Sequence, residues 1–205
     1  LRDDCYYIFA DGSHDNKNFE IFKNLQSKNI KYVRYDKDEN YSDYIKKMSD
    51  VSLHVNTKYV MTSDNDDFLN YKGIFKCINF LENNNTYDFA SGSTLFVKQN
   101  GSNEVKKLKY KIVFQSAIGR NLDNLRGIKA IEKYLDSNVE NTGYVWYSIY
   151  RSETFKKVWN SMHESDIQNG KLNEYLQTCM SFCYGKHSKK CKHATGCCPF
   201  KSIIK

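Results

Sequence analysis

Three short apolar runs, Cys5–Phe9, Ile30–Tyr35 and Lys58–Ser63, alternate with two stretches whose apolar residues recur at helical spacing. No other feature constrains the fold as much. Phe19, Phe22 and Leu25, with Ile21 flanking, make the first helical stretch. Ile45, Met48, Val51, Leu53 and Val55 make the second, a helix expected over 42–55 with Ser42 as its N-cap. A β-α-β-α-β order implies a parallel sheet with helices on its faces. Ligands of such sheets gather outside the carboxyl ends of the strands. Two of those ends are acidic here: Ala10-Asp11-Gly12-Ser13 closes the first run, and Asp64, Asp66 and Asp67 close the third.

Further along, Ile74, Phe75, Ile78 and Leu81 predict a helix closed by the Asn83-Asn84-Asn85 run. Strands are expected at Tyr87–Ala90, Thr94–Lys98 and Leu108–Phe114, the last two forming a hairpin around Gly101. A helix over 124–135, a strand at Tyr144–Tyr150, a helix over 152–162 and a last helix over 172–184 complete the body. A chain of 205 residues with 40% hydrophobic content can bury one respectable core. The expectation is therefore one domain over 1–185 and a basic tail over 186–205.

The net charge of +7 favours anionic partners. Much of it sits in that tail, at Lys186, Lys189, Lys190, Lys192, Lys201 and Lys205, so a nucleic-acid-coating surface is not expected. No apolar run approaches a membrane span and no secretory signal opens the chain, which begins with Leu1. Cytoplasmic residence is expected, or peripheral attachment at the inner face of a membrane.

Carboxylates crowded into one turn repel one another unless a cation shares the site. Their oxygens are hard ligands, which suits magnesium or manganese carrying phosphates. The alternative is a solvated acidic turn. A calcium loop of the helix-loop-helix kind is excluded. Counting from Asp64, Leu69 stands where glycine is required and Phe75 where a bidentate Glu is required. The run starting at Asp36 fails in the same way, at Tyr41 and Lys47.

In order and spacing these features resemble a family 2-type glycosyltransferase with the GT-A fold. The matching residues are the Asp11-Gly12-Ser13 turn, the Asp64-Asn65-Asp66-Asp67 cluster and Gly92 past a strand. A strand running into Arg151 and a late helical Glu174 follow. The resemblance implies a Rossmann-like, mostly parallel central sheet flanked by helices, with a β-hairpin or antiparallel portion. The family's first strand has no counterpart before Leu1, which implies an N-terminally truncated domain or a lost part of the donor site. Its usual acidic pairs appear as Ala10-Asp11 and Asn173-Glu174.

The activity implied is metal-dependent, inverting transfer of a sugar from a nucleotide-diphosphate sugar to an acceptor hydroxyl. The acceptor would be a glycan or lipid-linked molecule, as in surface-polysaccharide assembly. Asp66 would ligate manganese or magnesium, and Asp64 would face the ribose or a metal-bound water. Asp67 would cap the next helix or shape the acceptor side. Asp11 would accept a hydrogen bond from the nucleobase, against the alternative of an Asp-Gly turn bonding its own backbone. His14 is a lone loop histidine within reach of a phosphate. Arg151 would supply a cation near the crevice or pair with Glu153. The base that removes the acceptor proton would be Glu174, with Asp166 as runner-up. The other class of reading is a non-catalytic domain of the same fold.

A rival constellation lies near the C-terminus: Cys183, His187, Cys191, His193, Cys197 and Cys198. Thiolates and imidazoles suit zinc, but no Cys-x-x-Cys pair is present and the order matches no common finger. With seven cysteines and no secretory signal, free thiols are expected.

Overall fold

Tyr7, Ile8 and Phe9 favour extended backbone, and they open strand β1, Tyr7–Asp11. Residues 2–23, 29–65, 67–92, 94–100, 109–115, 126–136, 145–188 and 200–203 are described by a computed structural model. Helix α1, Lys17–Phe22, returns the chain to β2, Ile30–Arg34, which pairs in parallel with β1 from Tyr7↔Ile30 to Asp11↔Arg34. Helix α2, Tyr41–Leu53, then leads to β3, Tyr59–Val60. This is the expected βαβαβ order; β1 and β2 end within two residues of their expected places, and β3 ends at Val60, three residues short of Ser63.

The acidic turn passes into β4, Asp67–Phe68, and helix α3, Tyr71–Glu82. Next come β5, Phe89–Ala90, then β6, Thr94–Asn100, and β7, Lys109–Gln115. Helix α4 spans Ile128–Leu135, β8 Ile149–Arg151, α5 Ser152–Ser165 and α6 Gly170–Tyr184. Strands β9, His187–Ser188, and β10, Phe200–Ile203, close the order. The described strands form a β1-β2 pair, a β3-β8-β5-β9 sheet and a β4-β10-β6-β7 sheet. Parallel and antiparallel pairings mix: β8 runs antiparallel to both β3 and β5, and β6-β7 is the expected antiparallel hairpin. The class is α/β with a GT-A-like arrangement.

Several boundaries differ for local reasons. Asn40, not Ser42, caps α2, its side chain accepting from the Asp43 amide; an amide side chain one position before the helix reaches that donor directly. The Ser42 hydroxyl instead donates to Asp166. The strand expected over 144–150 begins only at Ile149, because the Ser148 amide closes a turn on the Val145 carbonyl. Val145 and Trp146 in that turn are buried, which made the segment read as strand. Strands β4, β9 and β10 were too short to show a period.

The core lies where α5 packs between α2, α6 and the second sheet. Phe89, Tyr150, Phe155, Trp159 and Phe182 are essentially inaccessible there. Rings meet edge to face, as in Trp146–Trp159 at 5.5 Å and Phe155–Trp159 at 6.0 Å. Tyr150 is a fully buried phenol in this core. Its hydroxyl donates to the Val145 carbonyl and meets Ser181 Oγ at 3.0 Å and Gln177 Nε2 at 2.9 Å. That network satisfies a buried polar group and ties β8 to α6.

His187–Ser188, counted with the tail in the sequence reading, form β9 against β5. His187 is fully buried between the Phe89 and Phe182 rings, with Nε2 2.8 Å from Ser91 Oγ. Cys183 is exposed on α6. The zinc constellation is thus split by burial, and its remaining members lie outside the described residues.

Candidate functional site

Asp11 ends β1 at the carboxyl edge and is buried. Its Oδ1 accepts the Ser13 amide at 2.9 Å, the Asx turn that an Asp-Gly-Ser sequence favours. Its Oδ2 accepts Arg34 Nη1 at 2.6 Å and the Tyr32 hydroxyl, both from β2. Burial raises the carboxyl pKa, but hydrogen bonds from Ser13, Tyr32 and Arg34 outweigh it and hold the group well below the usual range. The sequence left Asp11 open between nucleobase acceptor and structural turn. The structure gives it a structural turn, and the group facing outward is Arg34, about one-third exposed, whose Nη2 also donates to the Ser13 carbonyl.

Replacing Asp11 by Asn should cost about 2 kcal/mol near neutral pH, since it strands a guanidinium that the fold has partly desolvated. The folded pKa lies below the ordinary 3.8, so the stabilisation is fully present above that value and drains away as pH falls beneath it. Urea titrations of wild type and Asp11→Asn should show a stability gap that narrows with acid below 3.8. A gap that stays constant there would show that the pair does not stabilise the fold.

The loop after β2 folds back on this turn. The Asp38 amide donates to the Gly12 carbonyl at 3.1 Å, and the Asp38 carboxylate pairs with the buried ammonium of Lys47. A Cβ on Gly12 would stand 2.6 Å from that carboxylate, so a side chain there would have to push Asp38 away from its present position.

The second acidic turn follows β3. Asp64 is half-buried and its Oδ2 accepts the Tyr147 hydroxyl. Thr62 Oγ1 donates to the Trp146 carbonyl at 3.0 Å, so the 145–147 turn braces the acidic one on two sides. Tyr44, from α2, packs edge to face against Trp159. Burial pushes its phenol up, and the negative charges of Asp64 and Asp38 act in the same direction. Beside the acidic turn, Tyr147, Met61, Ile74, Cys77, Ala90 and Gly92 line a shallow, mostly apolar hollow.

Asp66 lies outside the described residues, and Asp67 is in β4, opposite Lys201 of β10. Among the described residues no group of three or more His, Cys, Asp or Glu is placed to hold a metal. As a donor set, the half-buried Asp64 carboxylate suits a hard divalent cation, with Asp66 two positions on.

Arg151 is spent inside the fold. Its Nε donates to the Tyr87 carbonyl at 2.9 Å, Nη2 to the Leu81 carbonyl at 2.7 Å and Nη1 to the Tyr59 hydroxyl at 3.3 Å. The expected cation at the crevice is a strut between α3, β5 and β3, and Glu153 pairs with Lys156 instead. Asp166, in the left-handed region at φ 48°, caps α5. Its Oδ1 accepts from Ser42 at 2.8 Å and Gln168 at 2.9 Å, which fastens it to the start of α2. Glu174 is half-buried in α6, next to the fully buried Asn173.

No protein-family model matches the chain, and no curated protein matches it in sequence. Among solved structures it is similar to the crystal structure of S. aureus TarS 1–349, a glycosyltransferase. The TM-score is 0.56 at 13% identity, over 95% of this chain and 50% of that one. The fold is glycosyltransferase-like. The chain spans about half the length of this neighbour, and at such identity the likeness to TarS is one of fold.

Sequence reasoning gave no role to Arg34, Tyr44 or Tyr147. Tyr147 falls inside the segment that carries the resemblance, yet in a chain with 16 tyrosines nothing marked it out. Among the described residues no helix is long and apolar enough to cross a membrane.

Proposed function

We propose that the chain is a metal-dependent glycosyltransferase that moves a sugar, with inversion, from a nucleotide-diphosphate sugar to an acceptor hydroxyl of a glycan or lipid-linked molecule. The observation that carries this reading is the half-buried Asp64 carboxylate in the acidic turn after β3, braced by the Tyr147 hydroxyl, within a glycosyltransferase-like fold. Asp64 and Asp66 would hold manganese or magnesium, which when bound neutralises charge developing on the diphosphate. Arg34, held at the rim by Asp11, offers a fixed cation to the nucleotide side. Glu174 would take the acceptor proton, with Asp166 as the alternative base.

Titration calorimetry of a panel of nucleoside diphosphates with and without manganese tests this. The expected result is manganese-dependent binding of at least one nucleotide, lost in Asp66→Ala. Absence of binding across the panel would instead support a non-catalytic domain of the same fold. That reading is favoured by one observation, that Asp11 and Arg151 both spend their polar groups inside the protein.

A further inference from the structure

The acidic turn after β3 and the apolar hollow beside it share a side chain. Tyr147 donates its hydroxyl to Asp64 Oδ2 and also lines the hollow. Met61, three positions before Asp64, lines it as well, with Ile74 and Cys77 from α3 and Ala90 from β5. Gly92 borders it and contributes no side chain. The hollow offers about 20 Å³, room for one water-sized group and hence for a methyl. Its lining gives a water few polar partners, so an apolar group suits it better.

A polar residue borders the same hollow. Asn70 caps α3, its Oδ1 accepting the Gly73 amide at 3.3 Å, and it is one of the lining residues. Among the described residues its Nδ2 has no hydrogen-bond partner, so Asn70 keeps a donor beside an apolar, methyl-sized space. A methyl next to a carbonyl is the pattern of an acetamido group: the methyl leaves water for the hollow, and the carbonyl accepts from the amide nitrogen. A hydroxyl in the same place could accept from Asn70 but would leave the apolar space unfilled. We propose that the hollow is the subsite for an acetamido group on the transferred sugar, with Asn70 as its hydrogen-bond donor. This rests on the sugar-transfer reading, in which the metal at Asp64 carries the diphosphate and the sugar is the next group along the donor.

Saturation-transfer NMR titrations with magnesium test it on probes that carry no base. The 1-phosphates of N-acetylglucosamine and N-acetylgalactosamine are compared with those of glucose and galactose. An acetamido sugar should bind roughly tenfold more tightly than its hydroxyl counterpart, with its methyl protons the most strongly saturated. Asn70→Asp should bring the two within about twofold, since aspartate still caps the helix but has no N–H to donate. Ile74→Phe, which fills the hollow, should do the same; if that variant does not fold, Asn70→Asp decides alone. Equal affinity of the paired sugars, a preference untouched by Asn70→Asp, or no binding of any of the four would overturn the proposal. Manganese-dependent binding of nucleoside diphosphates to the same protein separates the two readings. Its presence beside any of those results leaves sugar transfer standing while the acetamido subsite falls. Its absence, with an acetamido sugar bound, removes the transfer reading alone.

Discussion

Arg151→Ala should lower the unfolding free energy by roughly 3 kcal/mol, because hydrogen bonds from a charged donor contribute about 1.5–3 kcal/mol each and do not add fully. The guanidinium reaches the Leu81 carbonyl in the last turn of α3, which also accepts the Asn84 amide at 3.3 Å. It also takes the Tyr87 carbonyl ahead of β5 and lies 5.6 Å from the centre of the Tyr59 ring. One planar fork thus joins α3 to the sheet from three directions, which an ammonium cannot reproduce. Arg151→Lys should therefore recover less than half of the loss. Urea denaturation of the two variants measures this. A shift under about 1 kcal/mol, accompanied by loss of nucleotide binding, would return Arg151 to the donor site.

This residue also shows where reading the chain worked and where it stopped. Alternation of apolar runs is a local property, so β1, α1, β2, α2 and β3 could be placed from it, as could the hairpin of β6 and β7. Strand ends follow from the same pattern, which is why both acidic corners were found. What lines up beside a corner is set by contacts between distant residues. The Asp11–Arg34 pair spans 23 positions, the Asp64–Tyr147 bond 83 and the His187–Ser91 bond 96. Arg151 was legible as a residue at the mouth of a helix, but its strand register turns the guanidinium toward the α3 end. His187 read as a tail ligand because Lys186, Lys189 and Lys190 surround it in sequence. In space it is enclosed by phenylalanines.

Asp64→Asn should abolish the manganese-dependent part of nucleotide binding, a loss on the order of a hundredfold, while leaving any metal-free binding in place. The carboxylate is half-exposed, so the fold should survive the change with little loss of stability. Tyr147→Phe asks a finer question. Its hydroxyl donates to Asp64 Oδ2 and so fixes how the carboxylate is presented to a cation. Removing such a supporting group typically costs 10–100-fold in metal affinity, and roughly tenfold is expected for this one contact. In the Asp64→Asn background the Tyr147→Phe change should add nothing further, because the group it orients no longer charges the site. Equal, additive losses in the double variant would mean that Tyr147 acts through the apolar hollow it lines and not through Asp64. Manganese-dependent binding that survives Asp64→Asn intact would remove this turn from the donor site.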